Sequence, residues 1–126
     1  MIFLDANILL ELLLPGRRKV LQVEKYLEEQ TGQIFAISML SVHLVWHFGR
    51  LAGIPDKYLA SSLAEHEILA CEPIDYAWAL GNEEGKDFED ALQVAAALRG
   101  GCTELLTLDK ALARAYASQD IKVVCL

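Results

Sequence analysis

The sequence predicts an α/β fold: a three-layer sandwich with a central, mostly parallel sheet of about five strands flanked by helices, formed as one domain over residues 1–126. Two observations predict it. Short apolar, β-rich runs alternate with longer segments of helical period, the order that builds βαβ units with right-handed crossovers. A hydrophobic share of 54% is also high, enough to cover both faces of a thick parallel sheet or an oligomer interface. A chain of 126 residues can bury a core without disulfides or a structural metal. No repeat, linker or composition shift divides it.

The elements follow in order. "MIFLD" reads as a first strand, and "ANILLELLL" keeps its apolar residues on a helical period until Pro15-Gly16 stops it. A second helix is expected over residues 17–30, broken at Gly32. "QIFAIS" is a β-rich run ending in Ser38, which is placed to cap the helix that follows. Pro55 opens a helix at "DKYLASSLAEH", and "EILACEPI" reads as a third strand with Pro73 at the next helix start. A loop over residues 81–85 precedes the helix "DFEDALQVAAAL", which Gly100-Gly101 ends. "TELLTLD" is a fourth strand, "KALARAYASQ" a helix and "IKVVCL" a last strand.

Charge and cysteine usage narrow the function. A net charge of −7 repels phosphate, so a general nucleic-acid coat is excluded and any nucleic acid must bind locally. The basic residues that could help are Arg17, Arg18 and Lys19, then Arg50, Lys86, Lys110 and Arg114; the triplet reads as the solvated start of the second helix. Cys71, Cys102 and Cys125 have no paired metal-ligand spacing and read as small buried hydrophobes in a reducing compartment. Apolar runs are interrupted by charge and far shorter than a membrane span, so a cytoplasmic protein with no membrane partner is expected.

The acids carry the chemistry. Asp5 ends the first strand, Asp109 ends the fourth, and Asp87-x-x-Asp90 starts the helix that feeds the fourth. Each alone suits a helix N-cap, whose carboxylate accepts bonds from orphan backbone N–H groups. Together they point further, because ligands of parallel sheets bind beyond the carboxyl ends of the strands. If strands one and four are neighbours, Asp5 and Asp109 emerge on one edge, while the i, i+3 spacing puts Asp87 and Asp90 on one helix face. Gathered carboxylates repel unless protonated or bridged by a cation. Oxygen donors suit Mg²⁺ or Mn²⁺. His43 and His47 have the spacing of a zinc pair but lack its adjacent glutamate, so zinc is not expected. Trp46, Trp78, Phe48 and Tyr76 read as core or dimer contacts rather than base-stacking platforms.

"FLDANILLELL", "ISMLSVHLVWHF", "DFEDALQVAAAL" and "LLTLDKAL" together resemble, in their usual order, the four sequence blocks of the PIN domain family. The resemblance covers essentially the whole chain. PIN-like proteins are small α/β nucleases that cut RNA with Mg²⁺ or Mn²⁺, and many bacterial ones are VapC-type toxins held inactive by a small antitoxin. The resemblance therefore implies a metal-dependent endoribonuclease, the toxin of a VapBC-type pair, acting on RNA as a homodimer with an antitoxin partner. It implies that Asp5, Asp90 and Asp109 bind the metal, with Asp87 a fourth catalytic acid, and that Asn7, Ser38 and Thr107 support them. One departure stands out. Where the family usually has a Glu in the second block, this chain has His43, read either as a satisfied, partly buried histidine or as a donor or weak ligand facing the acids, and Asp87 is expected to restore the fourth carboxylate. The alternative is a catalytically weak or inactive PIN-like module that binds RNA or protein through the same groove. A phosphatase using Asp5 as nucleophile fits worse, because the second Asp it needs is replaced by Asn7.

Overall fold

The computed structural model describes residues 1–83, 87–117 and 119–126. Its strands are β1 (Ile2–Leu4), β2 (Phe35–Ser38), β3 (Glu67–Leu69), β4 (Glu104–Thr107) and β5 (Lys122–Cys125). Its helices are α1 (Ala6–Leu13), α2 (Val20–Glu29), α3 (Met39–Leu51), α4 (Asp56–Ala64), α5 (Pro73–Asn82), α6 (Phe88–Arg99) and α7 (Lys110–Ala115). The strands form one sheet in the order β3-β2-β1-β4-β5, and every pairing is parallel. The expected three-layer α/β sandwich is therefore what forms.

Strand alternation divides the core between the two faces. Ile2, Leu4, Ile37 and Leu106 point to one face, where Ile8, Leu9, Val23, Val45, Leu59 and Leu63 of α1–α4 cover them. Phe3, Ala36 and Leu105 point to the other, under Ala79, Ala91, Val94, Ala97 and Leu112 of α5–α7 and Tyr116 just past α7. Chain direction reverses at β1: the crossovers to β2 and β3 run outward on one side, and β4 returns to pair with β1 on its other side. The carboxyl ends of β1 and β4 thus flank a topological switch point, where open parallel sheets take their ligands.

Several boundaries differ from the sequence reading. α2 begins at Val20, not at residue 17, because Gly16 turns the chain with φ of 74° and the Lys19 N–H is taken by the Glu11 carboxylate at 2.6 Å. The basic triplet therefore sits in the α1–α2 loop, not in a helix. β3 is shorter than "EILACEPI": it has a single neighbour, β2, and the chain leaves the edge at Ala70, whose carbonyl accepts from Arg99. α5 runs on to Asn82 inside the expected 81–85 loop; Gly85 and Lys86 lie outside the described residues. α7 stops at Ala115. Cys102 is buried as expected, Cys125 is half-buried and Cys71 is exposed, all three free. Trp46 and Trp78 pack against the two cores, while Phe48 and Tyr76 are exposed.

Arg99 closes the helical layer over α5 and α6. From the last residue of α6 its guanidinium grips Asp75 in the first turn of α5, Nε to Oδ1 at 2.8 Å and Nη2 to Oδ2 at 3.1 Å. Asp75 Oδ2 also accepts the Glu72 N–H at 2.9 Å in a capping box. Asp75 is only 2% exposed, so removing its partner strands a buried carboxylate. Arg99→Met is expected to cost about 3 kcal/mol of unfolding free energy, read from urea denaturation. The paired Arg99→Met, Asp75→Leu variant should recover part of that loss.

Candidate active site

β1 ends at Leu4, and Asp5 follows at the N-cap of α1, 6% exposed. It makes no side-chain capping bond. Its Oδ2 instead accepts from Thr107 Oγ1 at 2.7 Å and from Asn7 Nδ2 at 2.8 Å. Thr107 is the last residue of β4, so its bond crosses the switch point, while that of Asn7 is local to α1. Each partner is fully employed: Thr107 Oγ1 also accepts from Asn7 Nδ2 at 3.2 Å and from the Asp109 N–H at 3.0 Å, and Asn7 Oδ1 accepts the Leu108 N–H at 3.1 Å. Burial pushes the Asp5 carboxyl up to about 6, against the lowering effect of the Thr107 hydroxyl and the Ala6 N–H; Glu89 and Asp109 push it further up.

Asp109, just past β4, caps α7, its Oδ1 accepting the N–H groups of Ala111 at 2.7 Å and Leu112 at 3.3 Å. Neither bond uses Oδ2. Asp87 caps α6 in the same way, taking the Glu89 N–H at 2.9 Å. Capping thus accounts for Asp87 and Asp109 in part and for Asp5 not at all.

Asp90 lies in the first turn of α6. Burial, then the charges of Asp87, Asp5, Asp109 and Glu89, raise its carboxyl to about 7. Acids from β1, β4 and α6 therefore act on one another in a single region. Glu89 is a member that the sequence reading passed over; burial and then Asp87 raise its carboxyl too. Its signal was its place inside "DFED".

Gln93 was also missed. It is 1% exposed and lies one turn beyond Asp90, where Oε1 accepts from Ser38 Oγ at 2.5 Å and Nε2 donates to Ser41 Oγ at 3.0 Å. A lone Gln in an Ala/Val-rich helix was the available clue. Ser38 is fully buried, caps α3 through the Ser41 N–H at 3.0 Å and locks to Gln93. Its hydroxyl thus joins β2 and α3 to α6, which fixes the start of the helix that carries Asp90.

His43 stands exposed on α3, its ring 6.4 Å from that of His47, beside Trp46 and Arg50 around a surface hollow. Among the described residues no hydrogen bond joins His43 to the acids. Arg50 is spent on Asp56, at 2.9 Å. The donor chemistry of the acid cluster fits a hard divalent ion: carboxylates, one backed by an amide and a hydroxyl, with Asp5 and Asp90 raised in pKa by burial and by the neighbouring acids. In placement, no three His, Cys, Asp or Glu among the described residues are grouped closely enough to hold one ion as they stand. Among the described residues no helix is long and apolar enough to cross a membrane.

The PIN domain family model matches residues 2–118. No curated protein matches the chain. Among solved structures, a toxin–antitoxin complex from Klebsiella pneumoniae is similar at 22% identity and a TM-score of 0.77, covering 98% of this chain and 96% of that one. The sarcin-ricin loop cleaving toxin VapC20 of Mycobacterium tuberculosis is similar at 17% identity and a TM-score of 0.72, over 91% of this chain and 95% of that one. VapBC2 of Rickettsia felis, solved with a DNA fragment from its promoter, shares 15% identity with a TM-score of 0.69, over 100% and 99% of the two chains. These likenesses show the fold.

Asp5 and Asp90 give the stability a definite pH dependence. Folded values of about 6 and about 7 stand above the ordinary 3.8, so between about pH 4 and 7 the folded state binds protons that the unfolded state does not, and stability falls as pH rises. In chelator-treated buffer, Tm is expected to rise by a few °C between about pH 8 and pH 5. Asp90→Asn should raise Tm at pH 8 and flatten the profile. A Tm that increases with pH through this window would contradict the buried repulsion.

Proposed function

Since this chain belongs to the PIN domain family, we propose that it is a divalent-metal-dependent endoribonuclease, the VapC-like toxin of a toxin–antitoxin pair. What supports the reading is that Asp5 and Asp109 follow the carboxyl ends of the adjacent strands β1 and β4, beside the switch point of the sheet, and that their charges act on Asp90 of α6. Asp5, Asp90 and Asp109 would hold Mg²⁺ or Mn²⁺; when bound, the ion activates water and offsets charge on the scissile phosphate. Asp5 is the fixed member, because Thr107 from across the strand pair and Asn7 from the first turn of α1 orient its carboxylate. Asp109 has Oδ2 uncommitted by its capping bonds and can take the attacking water's proton there; Asp87 is the other acid placed for that role. Ser38 acts through Gln93 on the position of Asp90.

The partners follow from different features. The toxin–antitoxin complexes among the similar structures support an antitoxin, and exposed Phe48, Leu51, Ile74, Tyr76 and Leu80 on α3 and α5 suit a second copy of the chain. Three free cysteines suit the reducing cytoplasm. A second reading, a PIN module that binds without cutting, is favoured by His43 in place of the usual Glu and by the absence, among the described residues, of a ready three-ligand group.

The two readings separate in one experiment. With Mn²⁺ and a fluorescent oligoribonucleotide, the proposal expects cleavage that EDTA abolishes and that Asp5→Asn or Asp90→Asn lowers by about 10²-fold or more. Mn²⁺ should also raise Tm of the wild type and not of Asp5→Asn. Undiminished cleavage by Asp90→Asn would sink the site assignment, and a metal-bound protein that cuts no RNA would favour the binding module.

A further inference from the structure

Arg17, Arg18 and Lys19 lie in the α1–α2 loop and line a cleft of about 390 Å³ with Glu11, Gly16 and Leu108. Two bonds pin the loop. Buried Glu11 accepts the Lys19 N–H at 2.6 Å, and Lys19 Nζ donates to the Leu126 carbonyl at 2.7 Å, so the loop is tied both to α1 and to the residue after β5. Gly16, at φ of 74°, makes the turn that presents the two arginines. The far wall is Leu108, the residue before Asp109, whose N–H is held by the Asn7 side chain that also holds Asp5. Cleft and acids therefore share a wall.

Charge says what the cleft would take. Arg50, Arg99 and Lys122 are each spent on a carboxylate, and Lys19 Nζ on a carbonyl. Arg17 and Arg18 are exposed and enter no ion pair or hydrogen bond among the described residues. On a chain of net charge −7, a polyanion is held best where unpaired cations stand together. Lys25, Lys57, Lys110 and Arg114 also enter no ion pair among the described residues, but Arg17 and Arg18 are adjacent and share a cleft whose wall, Leu108, adjoins Asp109, where an RNA strand reaching the acids can run its neighbouring phosphates. We propose that this cleft is the phosphate-backbone subsite for single-stranded RNA, with Arg17 and Arg18 as the contacting cations and Lys19 positioning the loop. The proposal rests on the ribonuclease reading. Arginine suits the task because its fork can grip phosphate oxygens in pairs.

The test is RNA binding against salt, by fluorescence anisotropy with a labelled oligoribonucleotide, on the Asp5→Asn protein in Mg²⁺. Wild-type protein in Ca²⁺ serves as a second background should that variant fold poorly. Arg17→Ala/Arg18→Ala is expected to weaken binding about 10-fold or more at low salt and to reduce the slope of log K against log salt by about 1.4, since each phosphate that a cation neutralises on a single strand adds about 0.7. Arg17→Lys/Arg18→Lys should keep most of the slope. If the parent binds RNA and the alanine pair changes neither affinity nor slope, the subsite is overturned while the ribonuclease reading stands. A polyglutamate peptide that binds the cleft as tightly as RNA overturns it in favour of an acidic protein partner. Should wild type neither bind nor cut RNA, the ribonuclease reading fails and takes the subsite with it.

Discussion

The hydrogen bonds that Thr107 and Asn7 make to Asp5 are the constraint on which the site depends. A carboxylate that is 6% exposed has lost most of its hydration, and an unpaired buried charge would be expelled or neutralised. The chain supplies one hydroxyl and one amide, from β4 and from the first turn of α1, and each is itself satisfied by a neighbouring backbone group. Such a network holds only if β4 lies directly against β1 in its observed register, Leu4 opposite Leu106. A one-residue slip would turn Thr107 toward the opposite face. The topology that returns the chain from β3 past β1 to β4 is thus what the Asp5 side chain requires.

Holding Asp90 in place is a separate problem, because its helix comes from the opposite layer. α6 is anchored at both ends. Near its start, Gln93 enters a buried pair of hydroxyls from β2 and α3; at its last residue, Arg99 grips Asp75. Between them Ala91, Val94 and Ala97 pack on the sheet with almost no exposed surface. Small side chains let the helix backbone approach the strands closely, so a shift along its axis would meet both polar anchors. The repulsion among the acids at its start works against this docking, which is why the two anchors carry weight beyond ordinary packing.

Much of this was legible in the residues. Alternation of β-rich and helical runs gives the order of elements, and proline, glycine and Asp/Ser caps mark most boundaries. Asp5 and Asp109 could be singled out because acids that follow adjacent parallel strands share one edge of the sheet, whereas the choice of Asp90 rests on the family resemblance. What could not be read is what depends on pairings between distant segments. The start of α2 moved because Glu11, eight residues before Lys19, takes the Lys19 N–H. β3 shortened because a guanidinium from α6 draws off the Ala70 carbonyl. Ser38 is legible as the cap of α3, but its buried bond to Gln93, a partner 55 residues away, is not. Local pattern contains none of these pairings.

The displaced second-block Glu raises the question of which acid supplies the fourth charge. Asp87 was the expected substitute, and its charge is felt by Asp90 and by Glu89. Glu89 acts on both Asp5 and Asp90. An acid that shares an ion with the others must lie near each of them, and Coulomb interaction falls with distance and with solvent screening. Asp87 also spends one oxygen on the Glu89 N–H and stays exposed, whereas Glu89 is drawn partly into the protein, as its raised carboxyl records. Of the charges acting on Asp90 that of Asp87 is the largest and that of Glu89 the smallest, whereas Asp5 feels Glu89, so the charge that the displaced Glu would supply is divided between the two acids beside Asp90.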